Sequence, residues 1–205
     1  MRSHERSRNR NRGGFTLTEL MITCALIGTI ASIAIPNFLT YQARSRRSEA
    51  VTNIAGIARA YKAYHAEQGR FPDMITVSGE SSLPAPGPGQ PNTQQMTWDN
   101  PTEAFFDVVG WRPDGNVYYS YAVNSNNSCS GGCDDQTCFT ITGHGNVDSS
   151  NGMGAVMFVH PLRDAAGSVV GECPEVIRGL TTPLRPGTMT LVYDEPAVNY
   201  GVDLY

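Results

Sequence analysis

A run of 20 residues without a formal charge, residues 20–39, dominates the first part of this chain. As a helix that rises about 1.5 Å per residue, such a run would cross the roughly 30 Å hydrocarbon core of a bilayer. One carboxylate, Glu19, stands directly before it. A charged side chain costs about 2.5–3.5 kcal/mol when it must lie at a bilayer centre. The sequence therefore predicts a membrane-spanning helix whose first turn carries a charge that needs a partner.

The segment before this run is basic and contains no apolar stretch. Its five arginines oppose one acid, Glu5, and three further arginines follow the run. The arginines of the head are Arg2, Arg6, Arg8, Arg10 and Arg12, and those after the run are Arg44, Arg46 and Arg47. Because cytoplasmic flanks carry the excess of basic residues, we expect the N-terminus inside the cell and the bulk of the chain outside.

Three ordinary interpretations of this N-terminus each leave some of its features unexplained. A secretory signal peptide has an apolar region of about 7–15 residues before a small-x-small cleavage site such as Ser32-Ile33-Ala34. The present run is longer, and Glu19 lies where that region is purely apolar. A lipoprotein would use Cys24, but residues 21–23 lack the small residue that usually precedes the modified cysteine. A plain signal anchor leaves Glu19 and the Gly13-Gly14-Phe15 junction unexplained.

The junction Gly14-Phe15-Thr16-Leu17-Thr18-Glu19-Leu20-Met21 resembles the processing site of type IV prepilins. The resemblance implies that a prepilin peptidase cuts after Gly14, removes residues 1–14 as a leader and methylates the new N-terminal amine of Phe15. It places Glu19 at the position of the family glutamate, and Gly28 and Pro36 at the helix-weakening positions. Thr18 departs from the family, which mostly has isoleucine or valine there. The similarity covers residues 13–72.

Glu19 has a physical role in a subunit that assembles. In a bilayer its side chain can snorkel to the cytoplasmic interface. In a dry filament core the carboxylate needs a cation, and processing creates one in the free amine of Phe15 on a neighbouring subunit. We therefore expect loss of Glu19 to impair assembly more than membrane insertion. Gly28 and Pro36 weaken the helix between them, and the resemblance implies that this stretch unwinds on assembly.

After Tyr41 the apolar pattern becomes amphipathic. Apolar residues recur at three- and four-residue spacing, namely Ala50, Val51, Ile54, Ile57, Ala58, Tyr61 and Tyr64. Gly69 followed by Phe71-Pro72 is a helix stop signal. The pattern predicts one helix over residues 15–68. Its half at residues 15–40 would lie in the membrane or the filament core, and the half at residues 41–70 would pack one face on a sheet.

Residues 71–205 are long enough for one compact extracytoplasmic domain with its own core. Proline and glycine punctuate residues 78–95, which we expect to form an exposed loop. Flanking proline and glycine predict a short helix over residues 101–109. β-Branched and aromatic runs predict strands at residues 117–123, 137–142, 155–160 and 188–193, with a weaker one at 169–170. The predicted fold class is α+β, the pilin fold, in which an antiparallel sheet of about four strands packs against the long helix.

One of the five cysteines lies in the apolar run, and the other four lie within residues 71–205. Cys24 lies in the apolar run, where we expect it to act as a small apolar residue. Cys129, Cys133, Cys138 and Cys173 fall on the outer side, where disulfides persist, and allow three connectivities. The flexible residues 130–132 favour a small Cys129–Cys133 ring, which leaves Cys138 to pair with Cys173. A zinc site from these four is the alternative, although they lack the Cys-x-x-Cys pairs common in structural zinc sites.

Acidic residues in two predicted loops offer oxygen ligands for a cation. They are Asp134-Asp135 and, within residues 146–151, Asp148. Secretion pseudopilins, which this chain resembles, can bind calcium, but the spacing does not follow the Asp-x-Asp-x-Asp-Gly pattern of calcium loops. We therefore expect solvated acids, no metal and no cofactor, with calcium at these loops as the alternative.

The sequence shows no catalytic constellation. The four histidines are His4 in the head, His65 on the long helix, His144 in a Gly-His-Gly loop and His160 before a proline, and no motif joins any of them to a nucleophile and an orienting acid. The chain is therefore not expected to be an enzyme. Removal of the head would take five of the 15 basic and one of the 19 acidic residues, which leaves a formal charge of −8 and disfavours a nucleic-acid surface.

The sequence predicts a structural subunit of a type IV pilus. It would be a single-pass inner-membrane protein with a cytoplasmic N-terminus before assembly, and part of a surface filament afterwards. The expected partners are other copies of the chain, the prepilin peptidase and the inner-membrane assembly platform. One alternative is a pseudopilin of a type II protein secretion system, and another is a low-copy minor pilin that acts as a binding module at the tip. Adhesion, twitching motility and DNA uptake all fit the pattern.

Overall fold

The computed structural model describes residues 14–72, 94–98, 104–125, 129–133, 137–145, 154–174, 181–185 and 190–198, without the side chains of residues 104 and 105. The basic head before Gly14, most of the predicted loop at residues 78–95 and both acidic stretches considered for calcium lie outside these residues. The chain divides into two compact units, Met1–Tyr41 and Gln42–Tyr205.

One long helix, α1, spans Leu17–Gln68 over 52 residues and contains Pro36. It begins two residues later than predicted and ends at the predicted residue. Gly69 adopts a left-handed φ of 75° and donates its N–H to the carbonyl of His65 at 2.8 Å. This is a C-terminal cap that favours glycine, so the predicted stop signal is confirmed.

The second unit contains a four-stranded antiparallel sheet in the order β1-β2-β3-β6. Its strands are β1 (Ser120–Asn124), β2 (Phe139–Gly145), β3 (Gly154–His160) and β6 (Ala197–Val198), and a separate pair is formed by β4 (Leu162–Arg163) and β5 (Val169–Gly171). A short helix, α2 (Ala104–Val108), precedes β1. The predicted α+β class and four-stranded sheet are therefore confirmed.

The core lies between the second half of α1 and the sheet. Side chains of α1 and of the sheet form one buried cluster, which includes Ala50, Ile54, Ile57, Ala58 and Tyr61 from α1 and Tyr121, Val123, Phe139, Ile141, Val156 and Phe158 from the strands. The rings of Tyr61 and Phe139 lie 5.1 Å apart. Each large apolar side chain buried in this way contributes about 1.5–3 kcal/mol. The predicted amphipathic face is thus the face that packs, although Val51 stays 36% exposed.

The fourth strand of the sheet lies later than predicted. Residues 190–193 form only an isolated bridge between Leu191 and Leu184, and β6 begins at Ala197. Between them, Asp194 adopts a left-handed φ of 59° and donates its N–H to the carbonyl of Val159 in β3. The chain therefore pairs with β3 as a strand only after this turn, and the prediction of a sheet strand at residues 188–193 is wrong for its described part.

The Gly-His-Gly segment is part of β2 rather than the predicted loop. A Cβ on Gly145 would lie 2.8 Å from the ring of Tyr119, and one on Gly143 would lie 3.3 Å from the ring of Tyr121. Both contacts are tighter than a side chain tolerates without movement of its neighbour. The glycines therefore make room for two tyrosine rings inside the sheet, which also buries His144.

Candidate assembly segment at the start of the long helix

Thr16 and Glu19 form a capping box at the start of α1. One carboxylate oxygen of Glu19, Oε2, accepts the Thr16 N–H at 2.9 Å and the Thr16 hydroxyl at 2.7 Å. In return, the Thr16 hydroxyl oxygen accepts the N–H of Glu19 at 3.2 Å. These bonds satisfy backbone donors that the first helical turn would otherwise leave free. Glu19 therefore has a partner in its own chain, which the sequence analysis did not identify.

The two oxygens of the Glu19 carboxylate are used unequally. Both bonds from Thr16 fall on Oε2. Among the residues that the structure describes, none forms a hydrogen bond or ion pair with Oε1. The carboxylate is exposed and thus able to accept a cation while it caps the helix. Phe15, whose amine the predicted cut would free, is 86% exposed beside it.

The first half of α1 presents large apolar side chains on all sides. Twelve of them are at least 57% exposed, namely Phe15, Leu17, Leu20, Met21, Ile22, Leu26, Ile27, Ile30, Ile33, Ile35, Phe38 and Leu39. Three of them, Leu20, Met21 and Ile22, are consecutive and so point in three directions around the helix. The helix is long and apolar enough to cross a membrane. An apolar surface of this size requires lipid or sister helices around it.

The hydroxyl side chains of this half are satisfied within the helix. Thr23 donates to the carbonyl of Leu20, Thr29 to that of Leu26 and Ser32 to that of Thr29, at 2.7–2.8 Å. Thr40 donates to the carbonyl of Pro36 at 3.1 Å. Such bonds let polar residues lie in an apolar environment. The helix is continuous through Gly28 and Pro36, so the unwinding that the resemblance implies stays a prediction.

The disulfides differ from the favoured pairing. Cys129 pairs with Cys173, and Cys133 pairs with Cys138. The reason is the approach of β5 to the loop between Cys129 and Cys133. Ser130 donates its N–H to the carbonyl of Glu172 at 3.0 Å, and a Cβ on Gly131 would overlap the carbonyl of Val170. This contact brings Cys173 beside Cys129, and Cys133 closes a short ring with Cys138 instead.

A polar junction fixes the chain around Asp194 to α1 and to the sheet. The Asp194 carboxylate accepts a hydrogen bond from Lys62 Nζ at 3.1 Å, lies 2.5 Å from His160 Nδ1 and is 3.6 Å from the Arg163 guanidinium. Burial opposes the charge on Asp194, but the bonds from His160 and Lys62 outweigh it and lower the pKa of this carboxyl group. For His160, burial and the nearby cations Lys62 and Arg163 outweigh Asp194 and lower its pKa. This arrangement is structural, since it joins three distant parts of the chain.

Glu49 and Arg46, which follow the apolar half of α1, also contact the globular domain. The Glu49 carboxylate accepts the Tyr118 N–H at 2.8 Å, and burial raises the pKa of Glu49 despite this bond. The Arg46 guanidinium lies 4.8 Å from the centre of the Tyr118 ring. Both contacts attach the residues just before β1 to α1. Arg46, one of the three arginines after the apolar run, therefore has a role within the domain.

The family comparison matches the start of the chain. Residues 9–35 match the model of the prokaryotic N-terminal methylation motif. Relatives include the type IV major pilin protein PilA of Myxococcus xanthus, 51% identical over 70 residues, which are 34% of this chain and 31% of that protein. The type IV major pilin protein PilE1 of Neisseria gonorrhoeae is 39% identical over 72 residues, 35% of this chain and 44% of that protein. The fimbrial protein EcpC of Eikenella corrodens is 46% identical over 66 residues, 32% of this chain and 43% of that protein.

These similarities cover less than half the length of each relative. The names of the relatives are those of structural pilins and a fimbrial protein, and none is the name of an enzyme. The N-terminal third of the chain is therefore similar to the corresponding segment of type IV pilins. The long helix with its apolar span and the four-stranded antiparallel sheet agree with the α+β fold of that family.

Proposed function

We propose that this chain is a structural subunit of a type IV pilus. The observation that carries the proposal is the first half of α1, which joins a prepilin methylation motif to an apolar surface exposed on every side. In the inner membrane this surface is covered by lipid. In a filament it is covered by the same segment of neighbouring copies. One surface thus serves two successive environments, and the chain acts by polymerisation.

Processing prepares the chain for assembly. A prepilin peptidase cuts after Gly14 and methylates the amine of Phe15, and an inner-membrane platform then extracts the subunit. The new amine is a cation, and Glu19 is the carboxylate that needs one. Because Thr16 occupies only Oε2 of that carboxylate, Oε1 can receive the Phe15 amine of a neighbouring subunit without loss of the cap. An unpaired charge in the dry core would be costly, so this pairing favours one axial register.

The test separates the charge of Glu19 from its capping role. Glu19→Gln keeps the side-chain acceptor that a capping box requires but removes the charge. We expect a normal amount of the variant in the inner membrane and a strong loss of sheared surface filaments. The matched control is Glu67→Gln, an exposed residue of the last turns of α1. Normal filament yield from Glu19→Gln would overturn the charge pairing.

A second measurement tests the processing step directly. We expect the mature protein to begin at Phe15 and to carry one added methyl group on its amine, which intact-mass and terminal-peptide spectrometry detect. Gly14→Ala should leave the leader attached and abolish filaments. A mature protein that begins at another residue would contradict the proposal.

The pilus is preferred to the two alternatives because the relatives are named as major pilins and a fimbrial protein. A pseudopilin of a type II secretion system and a low-copy minor pilin share the same processing and apolar segment. Abundance distinguishes them. A major pilin should be the main protein of sheared surface fibres, whereas a pseudopilin should be lacking there and a minor pilin should be a trace component.

A further inference from the structure

The four cysteines of the outer domain form one sulfur cluster, although they belong to two disulfides. Cys138 Sγ lies 3.5 Å from Cys173 Sγ, and these two atoms belong to different disulfides. The sulfurs of Cys129, Cys138 and Cys173 all lie within 4.8 Å of one another, and Cys133 is bonded to Cys138. Cys133, Cys138 and Cys173 are at most 2% exposed. The cluster is therefore compact and largely shielded from water.

We propose that this cluster, when its disulfides are reduced, binds one zinc ion through four thiolates. In a tetrahedral site with Zn–S bonds of about 2.3 Å, neighbouring sulfurs lie roughly 3.8 Å apart. The separation of 3.5 Å between the sulfurs of Cys138 and Cys173 is close to that value. The third sulfur, of Cys129, is already within reach of both. Once the two bonded pairs open, Cys133, which is bonded to Cys138, supplies the fourth sulfur.

The segments that carry the cysteines are held together by bonds that do not involve sulfur. The loop after Cys129 is fixed by the Ser130 N–H, which donates to the Glu172 carbonyl at 3.0 Å. The Cys173 carbonyl accepts the hydroxyl of Thr140 in β2 at 2.6 Å. These contacts join the loop, β2 and the chain after β5. Reduction of the disulfides therefore leaves the sulfurs near one another, which lowers the entropic cost of forming the site.

A dithiol reductant supplies the electrons and protons that convert the two disulfides into four thiols. Each protein disulfide takes up two electrons and two protons and becomes two thiols, while the dithiol is oxidised to its own disulfide. Zinc then replaces the thiol protons as the sulfurs ligate it. Two disulfides and one zinc ion are thus mutually exclusive states of the same four residues. The oxidised state belongs to the oxidising exterior, and the zinc state belongs to reducing conditions.

Cobalt titration of the full-length protein in detergent tests the site. A Cys24→Ser background leaves four cysteines, and a phosphine reductant that is then removed exposes them. We expect thiolate-to-cobalt charge-transfer absorption with the intense visible bands of tetrahedral Co²⁺, an endpoint of one ion per chain, and displacement by Zn²⁺. The unreduced protein should show none of these bands. A weak octahedral spectrum in the reduced protein, or no endpoint at one ion per chain, would overturn the proposal.

A second measurement distinguishes a four-sulfur zinc site from nonspecific binding of zinc to separate thiols. Zinc should raise the melting temperature of the reduced protein and protect its four thiols from alkylation. The Cys138→Ser variant, which keeps three of the sulfurs, should lose the rise in melting temperature. An equal rise in the variant and in the parent would show that no four-sulfur site exists.

Discussion

Thr16 and Glu19 cap each other at the first turn of α1, with three hydrogen bonds of 2.7–3.2 Å between them. The carboxylate that opens the apolar segment is therefore held in a defined position before any second subunit is present. For the proposed pairing with a neighbouring subunit, a pre-positioned group loses less conformational entropy when it meets its partner. Thr16 is in this sense a positioning residue for Glu19.

Replacement of Thr16 should loosen the first turn of α1. Loss of an N-terminal cap costs about 0.5–2 kcal/mol, so Thr16→Ala should speed hydrogen exchange of the amides at residues 16–19 in detergent-solubilised protein. Thr23→Ala is the matched control, since Thr23 bonds only to the carbonyl of Leu20 inside the same helix. Equal exchange at the first turn in both variants would argue against the cap.

Gly56 is the helical glycine that the core requires. A Cβ at this position would lie 2.6 Å from Trp111 Nε1. The Trp111 ring cannot move away easily, because the rings of Trp98, Phe106 and Tyr121 surround it at 5.5–6.0 Å. Glycine to alanine in a helix normally stabilises by about 0.5–1 kcal/mol, but here overpacking of about 1–3 kcal/mol should exceed that gain.

Thermal unfolding followed by circular dichroism checks this expectation. Gly56→Ala should lower the melting temperature of the globular domain. Gly28→Ala is the control, because nothing lies within 4 Å of a Cβ added there. A Gly56→Ala protein as stable as the parent would mean that Trp111 does not rest on the helix as described.

The sequence predicted local structure better than the contacts between distant segments. α1 ends where Gly69 stops it, because periodicity and a cap are properties of neighbouring residues. The position of β6 depends on the turn at Asp194, and Lys62, which bonds this residue, is 132 positions away. No local pattern encodes such a contact. The cysteine pairing failed for the same reason, since it depends on where β5 lies.

The sequence around Glu19 encodes more local structure than the resemblance alone indicates. The motif at Glu19 predicted the cut and drew attention to the charge and the apolar span, but it left the charge without a partner in its own chain. Thr16 and Glu19 have the Thr-x-x-Glu spacing of a capping box, and the spacing alone would have indicated the bond. No sequence pattern could show that both hydrogen bonds donated by Thr16 fall on one oxygen of the Glu19 carboxylate.

Two buried tyrosines offer a test of how much a hydroxyl contributes. The Tyr61 hydroxyl is buried and has no hydrogen-bond partner in the described part of the chain, whereas the Tyr121 hydroxyl accepts the side-chain N–H of Asn53 at 2.9 Å. Tyr61→Phe should therefore leave stability unchanged or raise it. Tyr121→Phe should lower it by about 0.5–1.5 kcal/mol and leave Asn53 with an unpaired donor.

The two variants control for each other, because each removes one oxygen from a tyrosine of the same core cluster. Chemical denaturation of both proteins in the same detergent compares them directly. A loss of stability in Tyr61→Phe as large as that in Tyr121→Phe would reveal a partner of the Tyr61 hydroxyl.

The junction at Asp194 should make stability depend on pH through His160. Burial, together with the charges of Lys62 and Arg163, holds the pKa of His160 below its ordinary value. The folded protein therefore favours the neutral ring more than the unfolded chain does. This preference contributes to the free energy of unfolding. The contribution of His160 is fully present above its unfolded pKa of about 6.5 and is lost as the pH falls through its lower folded pKa. Asp194 adds a second loss at more acidic pH, because its pKa is also lowered.

His160→Asn isolates the histidine contribution. The asparagine side chain can still donate a hydrogen bond to Asp194 but does not titrate. We expect the melting temperature of the parent protein to fall as the pH is lowered from 7 through the folded pKa of His160, and that of the variant to fall less over the same interval. His65→Asn is the control, since His65 contacts the Phe71 ring at 4.5 Å but lies outside the junction. Parallel pH profiles for the parent and His160→Asn would contradict the assignment, whereas a flatter profile for His160→Asn alone would place the sensitivity at this ring.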